Sequence, residues 1–468
     1  MGIFKACDIR GVYQEELTKE TALDIGRAIG TKIAGGAVLV GGDVRISTPE
    51  LKEALIGGLL ETGCRITDVG TLPTPAFYFA KRHLKILSGV MVTASHNPAR
   101  YNGFKIALTD WPINEAEIKE LEGLVKNRKF TPKAGGVLVH RDIRGDYTDF
   151  LKRSFFELTG EKLTGEMPGK RTGLKVVIDS GNGCYGSIAP QVFRDAGYDV
   201  IELFSEPDGR FPNREPNPAV AANLTALSQT IRAEKAHLGV AFDGDGDRVV
   251  FAAENGAVIE SDKAIALLAQ YFLRRYPGGK VVFDIKCSGL VPDEVVKAGG
   301  IPLMEKSGHA FIKTTLLREG AVLGGEISGH FFFDLLGGDD GLFAALLVAS
   351  IVGKSGGRIA SLIETLPQYH ITPDLRVPYA GDDRETLLRE LAARLEQSKD
   401  SRVSRLDGVR GEFAEGWGLV RLSVTEPLFT FRFESKGNYD VKAIKDRFLL
   451  PAPKLLALVN AVWDQYVK

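Results

Sequence analysis

The chain has 468 residues, enough for about three domains of ordinary size. Lys plus Arg at 59 against Asp plus Glu at 60 gives a formal net charge of -1, so no global basic field draws the protein to nucleic acid or to a membrane, and any recognition of an anion must be local. The four cysteines (Cys7, Cys64, Cys184, Cys287) form no CxxC pair and fit a reducing cytoplasm, and Lys5, Asp8, Arg10, Glu15 and Glu16 interrupt any signal-like apolar run.

In chain order, Val38-Leu39-Val40 reads as a strand leading into Gly41-Gly42-Asp43, and apolar residues then recur at helical spacing over 49–62. This alternation continues to about residue 150 and predicts a sheet of largely parallel strands covered by helices. Val176-Val177-Ile178-Asp179 opens a second such unit and Val281-Val282-Phe283-Asp284 a third. The apolar stretch 342–352 falls well short of the roughly 20 residues a membrane-spanning helix needs and predicts a buried helix. After about residue 372 the character changes. An amphipathic helix over 385–397, with Leu387, Leu388, Leu391 and Leu395 on one stripe, is followed by strands through Glu434 and a closing helix over 454–467, the pattern of an antiparallel α+β domain.

Four loops carry the chemistry. Gly89-Val90-Met91-Val92 ends in Thr93-Ala94-Ser95-His96-Asn97-Pro98, which offers one serine hydroxyl among small and polar residues. Serine is a poor nucleophile unless a base, a metal or a phosphate site assists it, and by itself the stretch reads equally as a strand followed by a turn. Leu238-Gly239-Val240-Ala241-Phe242 ends in Asp243-Gly244-Asp245-Gly246-Asp247-Arg248. Three carboxylates at alternate positions, separated by glycines, can converge on one hard cation; without it they repel by roughly 1 to 4 kcal/mol per pair. An EF-hand calcium loop is a rival, because Glu254 stands twelfth from Asp243. However, the sixth position is Arg248 rather than glycine, and Val249-Val250-Phe251 reads as a strand. A magnesium site with open positions for a phosphate oxygen fits better.

The third loop, Gly324-Gly325-Glu326-Ile327-Ser328-Gly329-His330, could present Glu326 and Ser328 to sugar hydroxyls or be a generic glycine turn. The fourth is Arg421-Leu422-Ser423-Val424-Thr425-Glu426-Pro427. Arg421, Ser423 and Thr425 at alternate positions share one face of an extended segment, which suits a phosphate dianion or an ordinary exposed strand face.

Together the four loops resemble those of the alpha-D-phosphohexomutase superfamily, and within it the bacterial phosphomannomutase/phosphoglucomutase group. Asp8-Ile9-Arg10-Gly11, Tyr101-Asn102-Gly103-Phe104-Lys105, Asp179-Ser180-Gly181-Asn182-Gly183, Lys286-Cys287-Ser288, Gly308-His309 and Gly416-Trp417-Gly418 extend the match over nearly the whole chain. The resemblance implies three consecutive related α/β domains with mixed, largely parallel sheets and a C-terminal α+β domain around a central cleft, with limits at 1–150, 151–256, 257–370 and 371–468. It implies reversible phosphoryl transfer between the 1- and 6-positions of mannose or glucose phosphates, through phosphoserine at Ser95 and a 1,6-bisphosphate that turns around in the cleft. One Mg2+ would be held by Ser95, Asp243, Asp245 and Asp247, and glucose 1,6-bisphosphate would prime the enzyme.

By the same resemblance Arg10, Lys105 and Arg248 stand near the reacting phosphoryl group, and Lys286, His309 and His330 stand at the sugar and proton-transfer end. Glu326 and Ser328 hold the 3- and 4-hydroxyls, and Arg421, Ser423 and Thr425 the distal phosphate. His96 either transfers a proton or holds the loop. The implied protein is a cytoplasmic monomer or dimer acting on hexose phosphates, with no nucleic-acid or membrane partner. Val424, Cys7, Gly42 and Arg214 depart from the Asn, Tyr, Arg and His common in the family, which bears on substrate preference. Phosphoglucosamine mutase is the alternative, disfavoured by Ile327 where Gln is common. A sugar phosphatase has no need of a second phosphate site, and a non-catalytic sugar-phosphate binding protein has no need of Ser95 and three aspartates.

Overall fold

Residues 2–161, 173–423 and 426–466 are described in a computed structural model of the chain. The apolar runs form the middle of four sheets. In the first, Ser88–Val92 and Ala37–Gly42 lie side by side and parallel, buried on both faces, which is why they read as unbroken hydrophobic runs. Arg65–Thr71 and Val137–His140 extend the sheet in parallel, while Tyr101–Ala107 and Ile9–Val12 close its other side antiparallel. The helices Lys19–Lys32 and Thr48–Glu61 cover one face at very short range. A Cβ on Gly26 would stand 2.2 Å from the Leu55 carbonyl oxygen, and one on Gly58 2.1 Å from that of Leu23, so only glycine permits the approach.

The second sheet sets Leu238–Phe242 parallel to Lys175–Asp179, which pairs in turn with Asp199–Leu203. Val249–Ala253 folds back antiparallel on Leu238–Phe242, as its strand character predicts. In the third sheet Lys280–Asp284 lies between Ile301–Glu305 and Leu323–Gly325, all parallel, with Phe331–Phe333 antiparallel beyond. Each of the first three sheets therefore delivers one loop from the carboxyl end of a central strand, where ligands collect in open α/β sheets. The stretch 342–352 lies in the helix Gly341–Lys354. It is apolar on all sides because all its residues from Gly341 to Val352 except Ile351 are buried. One apolar core runs without a break through these three sheets, from Met91 and Phe77 through Phe242 to Phe283 and Leu342.

The fourth sheet is antiparallel throughout and has its own core around Phe429, Phe431, Phe433 and Phe448. The amphipathic helix is Arg384–Glu396, with Leu388, Leu391 and Leu395 inward. The closing helix differs from expectation. It breaks after Pro453–Asn460 and resumes at Trp463–Tyr466, and residue 467 lies outside the described residues. The break lets the Trp463 ring reach Phe433, 5.9 Å away between centroids, while Lys445 holds the Asn460 side chain.

This unit is sutured to the third sheet through buried polar groups. Arg410 lies 3.9 Å over the Trp417 ring and donates to the carbonyls of Ile285 and Cys287, and Glu434 accepts from Gly289 N at 2.8 Å and from Trp417 Nε1 at 2.7 Å.

Candidate active site

Ser95 follows the buried strand Ser88–Val92 and adopts φ +51°, a left-handed conformation that costs a residue with a Cβ about 1 kcal/mol or more. The surroundings hold it there. Ser95 N donates to Thr93 Oγ1 at 2.9 Å, and Thr93 Oγ1 donates to Asp43 Oδ2 at 2.7 Å. Arg45, 1% exposed, gathers the loop from beneath, donating to the carbonyls of Ser95 (2.7 Å), Asn97 (2.6 Å), Pro98 (2.8 Å) and Tyr101 (3.0 Å). Its Nε pairs with Asp43 at 3.0 Å. The sequence reading does not single out Arg45. Its signal was position, because Asp43-Val44-Arg45 leaves the carboxyl end of the strand beside the serine strand.

The Ser95 hydroxyl donates to Asp243 Oδ2 at 2.7 Å. Asp243, Asp245 and Asp247 are all buried, and their ligand atoms lie within 4.8 Å of one another. Gly246 turns the loop at φ +79°, packed so closely on Tyr185 that a Cβ would stand 2.5 Å from the ring. Burial, then Asp247 and Asp245, push the Asp243 carboxyl well above the usual range. Asp245 goes the other way, because Lys105, at 2.7 Å, overcomes the upward push of burial. Lys105 also pairs with Asp247, and Thr74 donates to Asp245 Oδ2 at 2.6 Å. Asp245 Oδ1 and Asp247 Oδ1 are buried without a hydrogen-bond partner among the described residues. Two orphaned carboxylate oxygens beside a third carboxylate are a donor set that fits a hard divalent cation. Glu254, the twelfth position of the calcium alternative, is engaged elsewhere, accepting from Ala360 N at 3.1 Å.

Beside this cluster, Arg248 Nε donates to His330 Nε2 at 3.0 Å, which fixes the imidazole proton on Nδ1, and that nitrogen donates to Asp339 Oδ2 at 2.9 Å. Burial would lower His330, but Asp247 chiefly, and then Asp339, raise it. His309 Nε2 lies 3.5 Å from Asp339 Oδ1, with its ring stacked on Tyr78 at 6.0 Å. Asp339 is a further site residue that the sequence reading lacks. Arg10 donates to Asn97 Oδ1 at 2.7 Å and pairs with Asp8 at 2.6 Å. His96 Nδ1 is 3.5 Å from Ser95 Oγ. Burial, then Arg248 and Arg10, depress His96 so far that it stays neutral and weakly basic.

A cleft of about 1050 Å³ is lined by Ser95, Arg10, Lys105, Arg248, His309 and His330, with Asp247 and Glu326 in its wall. Glu326 Oε2 and the Ser328 hydroxyl are buried without hydrogen-bond partners among the described residues. Burial and the Glu326 charge push Asp284 up to about 6. Ser328, His96, Lys286, Arg421 and Ser423 do not line this cleft. Lys286 pairs with Asp374, Arg421 pairs with Asp407 at 2.5 Å, and Ser423 Oγ accepts from Glu426 N at 3.2 Å. Thr425 and Val424 lie outside the described residues. Arg214 is a brace: it pairs with Asp179 at 2.9 Å and donates to the Phe242 carbonyl at 2.7 Å, tying down the root of the aspartate loop.

Residues 1–132, 146–256 and 260–369 match the models of alpha/beta/alpha domains I, II and III of phosphoglucomutase/phosphomannomutase. Phosphomannomutase/phosphoglucomutase of Pseudomonas aeruginosa is 39% identical over 451 residues, 95% of this chain and 94% of that protein. Phosphoglucomutase of Neisseria gonorrhoeae is 38% identical over 454 residues, 95% of each. The crystal structure of a phosphoglucomutase/phosphomannomutase family protein from Burkholderia thailandensis superimposes with a TM-score of 0.86 at 35% identity, covering 97% of this chain and 98% of that one. N-acetylphosphoglucosamine mutase of Aspergillus fumigatus, solved with GlcNAc-6P and magnesium, shares the fold at a TM-score of 0.58 and 13% identity, over 96% of this chain and 95% of that one.

Proposed function

The chain belongs to the phosphoglucomutase/phosphomannomutase family and transfers a phosphoryl group between the 1- and 6-positions of a hexose phosphate, and from that premise we propose that Ser95 is the residue that carries it. The observation that carries this reading is the Ser95 hydroxyl, held 2.7 Å from Asp243 in a strained turn, beside two orphaned aspartate oxygens. Asp243, Asp245 and Asp247 would hold a magnesium ion together with a phosphoryl oxygen on Ser95. There the ion would spread the charge of the group in transfer.

The chain's own residues do the rest. Lys105, Arg248 and Arg10 place three cations along the cleft that Ser95 opens onto, suited to a phosphoryl group on its way to or from the serine. Asp339 orients His330, and His330 in turn orients Arg248. His309, partly exposed in the cleft, moves a proton at the sugar hydroxyl, while neutral His96 holds the serine loop. Glu326 and Ser328 hold the 3- and 4-hydroxyls, which occupy similar places whichever end of the sugar faces Ser95. The 2-hydroxyl is then weakly read, so glucose and mannose phosphates are both substrates.

Arg421, Ser423 and Thr425 receive the distal phosphate, which must displace Asp407 from Arg421, and Lys286 serves the same end of the sugar. Bringing them over the cleft requires the C-terminal unit, 371–468, to rotate near residue 370 against the units 1–150, 151–256 and 257–370. Glucose 1,6-bisphosphate primes Ser95, and the enzyme works in the cytoplasm as a monomer or dimer.

The test is turnover of glucose 1-phosphate, mannose 1-phosphate and glucosamine 1-phosphate side by side, with Mg2+ and a trace of glucose 1,6-bisphosphate, while the phosphorylated peptide is mapped. Comparable rates on glucose and mannose with phosphate on Ser95 are expected. A glucosamine preference would move the enzyme to the phosphoglucosamine mutases, and phosphate on another residue would refute the assignment of Ser95.

A further inference from the structure

The wall of the cleft contains a lysine that the reaction above does not use. Lys313, on the helix His309–Glu319, is only 7% exposed yet lines the cleft. Its ammonium lies 3.7 Å from the centre of the Tyr78 ring and has no hydrogen-bond partner among the described residues. The charged groups facing it are Asp339, which favours the ammonium, and Lys81, Arg82 and Lys105, which oppose it. Burial is the largest influence and the cations add to it, so the amine is pushed down to about 8. Tyr78 is itself pushed upward by burial and stays a neutral phenol. At pH 7.5 an amine of that pKa is about one quarter unprotonated, against about one part in a thousand for an ordinary lysine. A desolvated, unprotonated lysine is a nucleophile.

The same wall draws a particular class of electrophile. Lys81, Arg82, Lys85 and Lys105 line the cleft together with Lys313, and although Lys105 is paired with Asp245 and Asp247 and Lys81 and Arg82 also donate to the carbonyls of Thr109 and Leu336, their summed charge favours a phosphate-bearing ligand near the amine. We propose that Lys313 is a covalent capture site for phosphorylated aldehydes. The amine nitrogen adds to the aldehyde carbon, its two hydrogens leave with the aldehyde oxygen as water, and an imine joins Lys313 to the ligand. The ligand is an aldehyde and a phosphate in one small molecule, supplied either by the open-chain form of a hexose 6-phosphate or by a free phosphoaldehyde of three or four carbons. Capture requires no turnover, so it stands or falls separately from the role proposed for Ser95.

The experiment treats the full-length enzyme at pH 7.5 with pyridoxal 5′-phosphate, reduces it with borohydride and maps the modified peptides. The first phosphopyridoxyl group is expected on Lys313, faster by on the order of 100-fold than on the exposed lysines Lys119 and Lys126. Lys313→Arg, which keeps a cation over Tyr78, should remove that first label. First labelling at Lys81, whose amine burial also lowers, or even labelling of the surface lysines, would overturn the proposal. In a second arm, radiolabelled mannose 6-phosphate and glyceraldehyde 3-phosphate are each trapped with borohydride. Retention of the hexose at Lys313 assigns the open-chain sugar as the source, retention of the triose alone assigns the small aldehyde, and retention of neither refutes the capture site.

Discussion

Arg45→Lys is the most demanding perturbation the structure offers, because charge and burial are kept and only the fork is removed. The arginine side chain makes five bonds: one to Asp43 and four to the carbonyls of Ser95, Asn97, Pro98 and Tyr101. A lysine ammonium presents three donors from a single point, so at least two of these partners lose their bond. Each charge-assisted bond is worth about 1.5–3 kcal/mol net, which puts the loss at about 3–6 kcal/mol, a large share of the stability of any domain. Ser95 should also relax from its left-handed conformation, since the carbonyl that pins it is freed.

The assay is urea denaturation of wild type and variant, with the rate of Ser95 phosphorylation by glucose 1,6-bisphosphate measured on the same samples. Arg27→Lys is the control. Arg27 pairs with Glu61 at 2.7 Å and with Asp24 at 2.8 Å, but a lysine can keep one of the two, and the Glu61 side chain is 52% exposed, so the pair lost is worth less than about 1 kcal/mol. If Arg45→Lys costs no more than the control and phosphorylation is unchanged, the account of the serine loop as a shape imposed by Arg45 is wrong.

Ser95→Ala should leave no phosphorylated peptide and reduce transfer by more than about 10⁴-fold, measured by coupled turnover with primer present. Mg2+ at about 100 times its Kd should raise the stability of the wild type by about 2.7 kcal/mol in a thermal-shift titration, and Asp247→Asn should abolish most of that gain. Burial pushes Glu434 up to about 7 from its usual value near 4.5, so the folded protein binds that proton more tightly than the unfolded chain. The resulting stabilisation is complete below about pH 4.5 and disappears as the pH rises through 7; by linkage it amounts to about 3 kcal/mol. Glu434→Gln should therefore be more stable than wild type at pH 8 and not at pH 4.5. Parallel melting curves for the two proteins across that range would contradict it.

The fold was legible because it rests on local periodicity. The runs 38–40, 176–179 and 281–284 are short, apolar and flanked by turns, and nothing in their surroundings competes with strand formation. Ser95 and the three aspartates were legible as segments for a related reason, since each concentrates its chemistry within six residues at the end of such a run. What the sequence hid is the network between segments. Arg45 meets its carbonyls some fifty positions along the chain, and Asp339 is an unremarked acid until the fold brings His330 and His309 to it. Lys313 looks like one more helical lysine, and only burial against Tyr78 sets it apart. The break in the last helix was hidden as well, because it depends on where Trp463 finds Phe433.

The apolar core shared by the first three sheets, which lies beside separate cores on their other faces, governs how the chain comes apart. A protease that cuts between those sheets will not release folded pieces, because each piece would carry away one face of a shared interior and leave it open to water. The antiparallel unit at the C-terminus keeps its own interior and meets its neighbour through Arg410, Trp417, Glu434 and their partners, a small apolar cluster of Ile285, Trp417 and Leu419, and the pairs Lys286–Asp374 and Lys436–Asp293. Heating should therefore reveal two cooperative blocks of very unequal size rather than four, with the smaller block detaching whole.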